Sequence, residues 1–145
     1  MADIDNFKKI NDSYGHLTGG AVLRATSDRM HSLMRSYDYI GRYGGEEFLI
    51  ILPDCDSYRA VAFAERLRLS VEGDGFETPE GLIPVTISLG VASSHDNVVM
   101  DGELLVKAAD SALYLAKANG RNMVNVFSCT GAGPREEIVE KMSIC

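Results

Sequence analysis

Four groups of residues carry side chains whose type and spacing could do chemistry. Asp3-Ile4-Asp5 lies where a short strand ends and a helix begins, and Gly44-Gly45-Glu46-Glu47-Phe48 sits between two β-rich runs. Lys8 falls one turn into the first helix, while Lys117 and Arg121 share one face near the end of the last. Arg35 and Asp38 precede the glycine pair with the spacing Arg-x-x-Asp. Three of the groups have plain structural readings. The first acids are helix caps, the basic residues form a solvated face, and Arg35 with Asp38 makes a surface ion pair worth under about 1 kcal/mol. The pentapeptide resists such a reading. A turn explains its glycines, but not two carboxylates followed by an apolar aromatic. On average residue usage the string arises by chance in roughly one chain of this size in ten thousand.

Length and composition narrow the setting of these residues. A chain of 145 residues, 46% hydrophobic and 24% charged, is expected to form one soluble folded domain. Even the longest uninterrupted apolar runs, such as Phe48 to Leu52, fall far short of the roughly 20 residues a membrane helix needs. No basic-then-apolar leader opens the chain. The expectation is therefore a cytoplasmic protein with no membrane segment. A net charge of −7 argues against a nucleic-acid polymer as partner. It leaves room for a small anionic ligand, which needs only a few local cations. Cys55, Cys129 and Cys145 are odd in number and widely spaced, as reduced thiols would be.

The positioning elements follow from periodicity. Met1 to Ile4 reads as the end of a strand, and Phe7, Ile10 and Tyr14 fall at helical spacing before a stop at Gly15. A second helix is predicted from about Gly20 to Arg35. Tyr39 to Tyr43 and Phe48 to Leu52 form a hairpin around the glycine pair. Ser57 should cap a third helix with Val61, Ala64, Leu67 and Val71 inward. Strict alternation from Ile83 to Val91 predicts one half-buried strand. Asp101 should cap a fourth helix facing inward through Leu104, Leu105, Ala108, Ala112, Leu115 and Ala116. A closing strand spans Met123 to Phe127. The order β-α-α-β-β-α-β-α-β calls for an α+β sandwich, a mainly antiparallel central sheet flanked by helices. Residues 1–127 are read as the domain and 128–145 as a flexible C-terminal appendage.

Gly44-Gly45-Glu46-Glu47-Phe48 resembles the GGEEF form of the signature of GGDEF-domain diguanylate cyclases. The likeness runs through Asp3 to Asp12, Gly15-His16, Arg42-Tyr43, Thr86 to Gly90, Ala109 to Tyr114 and Ala116 to Asn122, and so covers essentially all of residues 1–127. It implies a palm-like nucleotidyl-cyclase fold. It also implies the family reaction, in which two GTP are condensed into cyclic di-GMP as a ribose 3′-hydroxyl attacks an α-phosphate and pyrophosphate leaves. By the same resemblance Asp3 and Glu46 hold Mg²⁺ (or Mn²⁺) through side chains and Ile4 through its carbonyl. Glu46 is the candidate general base, and Lys8, Lys117 and Arg121 neutralise the phosphates. Phe7, Asn11, His16 and Gly45 become nucleotide contacts. One GTP per domain implies a homodimer during catalysis. Arg35 and Asp38, completed by Arg66, match the family's inhibitory site for cyclic di-GMP, and a fused or separate sensory domain is the expected partner.

Two departures qualify the likeness. Where the family usually reads Gly-His-x-x-Gly-Asp, this chain has Gly15-His16-Leu17-Thr18-Gly19-Gly20, so Gly20 replaces an acid that reads guanine. Losing a charge-assisted hydrogen bond is worth roughly 1.5–3 kcal/mol, which opens a relaxed-specificity cyclase making mixed cyclic dinucleotides. Family domains also begin about thirty residues earlier on the family pattern. That shortening makes a catalytically weak cyclic di-GMP receptor the other alternative.

Overall fold

The computed structural model describes residues 1–73, 75–94 and 101–127; the expected appendage 128–145 lies outside them. Its elements are β1 (Ala2–Ile4), α1 (Phe7–Ser32), β2 (Tyr39–Arg42), β3 (Glu47–Ile51), α2 (Ser57–Glu72), β4 (Phe76–Thr78), β5 (Gly81–Ile83), β6 (Ile87–Val91), α3 (Gly102–Ala118) and β7 (Val124–Val126). Five strands form one sheet in the order β2-β3-β1-β6-β7, antiparallel except for the parallel β6–β7 pair. The α+β reading with a mainly antiparallel sheet therefore holds. The shortest of the central strands, β1, lies in the middle.

Alternation along β1 divides the core. Ala2 and Ile4 join Phe48 and Leu89 in a cluster with Phe7, Val22 and Met30 of α1 and with Phe63 and Leu67 of α2. Met1 packs instead with Ala109 and Leu113 of α3 and with Leu49. Side chains one apart on a strand point to opposite faces, so α1 and α2 cover one face and α3 the other. Because β1 is so short, Leu49–Leu52 and Leu89–Ala92 flank an apolar cavity of about 480 Å³ between α2 and α3.

The structure corrects several local expectations. The first two helices are one element broken at Gly15 (φ 81°, ψ 162°), so the second segment starts before Gly20, and it ends at Ser32, not Arg35. Tyr14 on α1 and Leu104 and Leu115 on α3 face outward; on α3 the small alanines Ala108, Ala112 and Ala116 take the buried face instead. The Ile83–Val91 run is two strands. Ile83 ends the separate β4–β5 hairpin, and Pro84, with no N–H to donate, begins the break before β6. Asp56, not Ser57, caps α2 by accepting from the Arg59 amide at 2.8 Å. Asp101 caps α3 as expected, accepting from the Leu104 amide at 2.8 Å.

The tightest approach is that of α3 to β6. A methyl group on Gly90 would overlap the Ala109 carbonyl oxygen and the Leu113 amide nitrogen, both of them backbone atoms that cannot rotate away. Gly90→Ala is expected to destabilise the protein by about 3 kcal/mol through forced displacement of α3. A urea melt checks this; a midpoint equal to wild type contradicts the packing.

Candidate active site

Backbone register brings the two acidic segments together. Asp3 lies opposite Glu47 across β1 and β3, and the Ile4 amide donates to the Glu46 carbonyl at 3.2 Å. The tip of the hairpin is thus tied to the end of the central strand. Asp3 is only 3% exposed, and its Oδ2 receives the Lys117 ammonium of α3 at 2.7 Å. Burial pushes the Asp3 carboxyl up to about 6, with Lys117 pulling downward and Glu46 and Glu47 adding to the rise. A buried acid that titrates near neutrality is unusual for a structural residue and common where charge is handled.

Asp5 is buried for a different reason. It accepts from the Thr86 hydroxyl at 2.7 Å, the Ser88 hydroxyl at 2.7 Å and the Asn122 amide at 3.0 Å. Asn122 in turn donates through its side-chain nitrogen to Glu72 at 2.7 Å and accepts from Arg68 at 2.8 Å. This network, missed in the sequence, ties the turn after α3 to β1, β6 and α2. Neither Asp3 nor Asp5 caps α1, whose N-cap is Asn6 in the left-handed region (φ 56°) without a side-chain cap. The helix-capping reading of the two acids is therefore wrong.

The glycine turn is held from outside. Arg42 donates to the Gly44 carbonyl at 3.1 Å and to the Gly45 carbonyl at 3.2 and 2.7 Å. Neither glycine has a positive φ. A side chain at Gly44 would meet the Glu47 carboxylate, which would have to swing aside, whereas Gly45 faces open space.

The remaining candidates are spread over the neighbouring elements. Lys8 is exposed on the first turn of α1, and the Phe7 side chain belongs to the core, so any ligand contact by Phe7 runs through its backbone. Asn11 presses its side-chain oxygen against Gly19, leaving no room for a side chain there. In a straight helix residues eight apart are about 12 Å apart along the axis, so the break at Gly15 folds α1 into a corner. Gly20 stands beside it with nothing within 4 Å of an added methyl group, and His16 is exposed just after the break. Arg121 lies beyond the end of α3 in the left-handed region (φ 66°), its amide bound to the Ala116 carbonyl at 3.0 Å, so it does not share a helical face with Lys117. Asp38 accepts the Arg35 amide at 2.8 Å and closes a turn, while the Arg35 guanidinium donates to the Tyr37 hydroxyl at 3.1 Å. The expected Arg35–Asp38 ion pair is thus a backbone cap. Arg66 stacks on Phe63, 5.3 Å from the ring centre.

Two side-chain carboxylates and a strand-end carbonyl are hard oxygen donors suited to a divalent cation that takes its other ligands from phosphate and water. Among the described residues no group of three or more His, Cys, Asp or Glu side chains is placed to hold a metal ion. The raised Asp3 value has a consequence. The folded state holds its proton more tightly than the unfolded state between about pH 4 and pH 6, so this group's contribution to stability falls as pH rises through that window. A ¹³C NMR titration of the metal-free protein is expected to place the Asp3 midpoint near 6, and Lys117→Met to move it higher; a midpoint below 4 contradicts the geometry.

Comparison with known proteins agrees with this arrangement. The family model described as diguanylate cyclase, GGDEF domain, matches residues 1–123. The chain is 39% identical over 130 residues to diguanylate cyclase DosC of Escherichia coli (strain K12), covering 90% of this chain and 28% of that one. It is 45% identical over 126 residues to the response regulator PleD of Caulobacter vibrioides, covering 86% and 28%. The chain thus spans little more than a quarter of these relatives. Among solved structures, the GGDEF domain of DgcB from Caulobacter crescentus in complex with c-di-GMP superposes with a TM-score of 0.80 at 32% identity, covering 86% of this chain and 74% of that one. The active GGEEF domain of a diguanylate cyclase from Vibrio cholerae does so with 0.80 at 34%, covering 89% and 81%. Among the described residues no helix is long and apolar enough to cross a membrane. With the family model matching most of its length and solved relatives sharing its fold, the chain belongs to the GGDEF-domain family of diguanylate cyclases.

Proposed function

We propose that this chain condenses two GTP into cyclic di-GMP with release of pyrophosphate. The observation that carries the reading is the buried Asp3 carboxylate, bound by Lys117 and set against the Glu46–Glu47 hairpin. Asp3, Glu46 and the Ile4 carbonyl would hold Mg²⁺ or Mn²⁺, which when bound offsets triphosphate charge and lowers the pKa of a coordinated hydroxyl. Glu46 accepts the proton of the attacking 3′-hydroxyl. Lys117 exchanges its bond to Asp3 for a phosphate oxygen, and Lys8 and Arg121 neutralise the rest of the triphosphate. The Phe7 and Gly45 amides, neither bonded to another backbone group among the described residues, donate to the same oxygens. Asn11 and His16 contact the nucleoside from the corner of α1.

Each chain offers one such site, so two chains must meet about a two-fold axis to join two nucleotides. Exposed Arg35 and Arg66, with half-buried Asp38, provide the surface on which cyclic di-GMP would inhibit, because an arginine fork engages phosphate and guanine edges bidentately. The input comes from a sensory domain, fused or separate, and the protein works in the cytoplasm.

Open space at Gly20 favours a second reading, relaxed choice of base leading to mixed cyclic dinucleotides. The chain, incubated with GTP, ATP and Mg²⁺ and followed by chromatography, is expected to release a cyclic dinucleotide and pyrophosphate. Glu46→Gln should lower the rate by about 100-fold or more. Gly20→Asp should raise the preference for GTP over ATP by about ten-fold or more. No cyclic product from the wild-type chain refutes the enzyme, and unchanged selectivity in Gly20→Asp refutes the role given to that glycine.

A further inference from the structure

Backbone bonds from the Tyr43 and Gly44 amides to the Glu47 carbonyl (2.8 and 3.3 Å) close the base of the glycine turn, but among the described residues no backbone bond holds the two peptide planes on either side of Gly45. Gly44 and Gly45 adopt ordinary negative φ values, and glycine tolerates many others at similar energy, so the peptide planes on either side of Gly45 can rotate readily. Gly45 is exposed, with no neighbour within 4 Å of its missing side chain. Packing therefore cannot set their orientation. Arg42 does. Its guanidinium lies at the end of the edge strand β2 and donates three hydrogen bonds to the two successive carbonyls of Gly44 and Gly45.

All peptide bonds here are trans, so in each plane the N–H points opposite to the C=O. Drawing both carbonyls to Arg42 turns the Gly45 and Glu46 amides the other way, and neither amide has a partner among the described residues. A planar fork can grip two neighbouring carbonyls at once, whereas an ammonium acts as a single point charge. We propose that Arg42 is a positioning residue, clamping the Gly44–Gly45 carbonyls so that the Gly45 and Glu46 amides are presented to the triphosphate and the Glu46 carboxylate is held where it would take the metal. This rests on the cyclase reading for the ligand, but the clamp itself is a property of the free chain.

The test compares wild type, Arg42→Ala and Arg42→Lys in two independent ways. Without nucleotide, the ¹H–¹⁵N signals of Gly45 and Glu46 should shift or broaden in both variants, while the melting temperature stays within about 3 °C because Arg42 is exposed. In the cyclase assay, kcat should fall about ten-fold or more with KM changed less than about three-fold, and Lys should restore little of it. Unmoved Gly45 and Glu46 signals overturn the clamp. So does full recovery by Arg42→Lys, or a loss confined to KM, which marks a direct phosphate contact instead. If the wild-type chain makes no cyclic dinucleotide, the cyclase reading fails, and the NMR comparison alone decides the clamp.

Discussion

One ion pair organises the functional end of this fold. Asp3 sits in the middle strand of the sheet, almost without access to water, and among the described residues only the Lys117 ammonium offsets the penalty of a buried carboxylate. That pair fixes the end of α3 against β1. Nearby, the Ile4–Glu46 hydrogen bond fixes the hairpin against the same strand. Three chain segments far apart in sequence thus converge on one carboxylate. A site that must receive a highly charged ligand benefits from such a group, held ready but not satisfied by water.

The architecture around the pair follows from small residues placed where backbones meet. Gly90 lets α3 lie on β6, Gly19 admits the Asn11 amide, and Gly44 makes way for Glu47. Gly45 differs, since no protein atom requires its lack of a side chain. The network of Asp5, Thr86, Ser88 and Asn122 adds rigidity below the site and sets the left-handed turn that carries Arg121. Overall the chain is strongly acidic, so a triphosphate would be attracted by a few placed cations and not by a basic surface.

Much of this was legible in the residues themselves. Alternation and helical spacing located α1, α2, α3 and the β2–β3 hairpin, because each buries a periodic apolar face. The pentapeptide marked the hairpin tip for the same reason that it is improbable by chance. What escaped was tertiary. The alternation of Ile83 to Val91 continues through Pro84 because both halves bury side chains, so period alone hid the β4–β5 hairpin. Asp5 looked like a cap, since the hydroxyls that claim it lie more than eighty residues away. Lys117 looked like a solvated cation because its partner is at the other end of the chain. The Arg-x-x-Asp spacing suggested an ion pair, whereas a carboxylate three residues on reaches the backbone amide more easily.

The central claim is that Asp3 and Glu46, from a strand and a hairpin, face one divalent ion. Mn²⁺ titrated into ¹⁵N-labelled protein with a non-hydrolysable GTP analogue tests it most directly. Paramagnetic broadening centred on Asp3, Ile4 and Glu46 at one ion per chain, and lost in Asp3→Asn, is the predicted result. Broadening centred elsewhere, or unaffected by that substitution, would contradict the account.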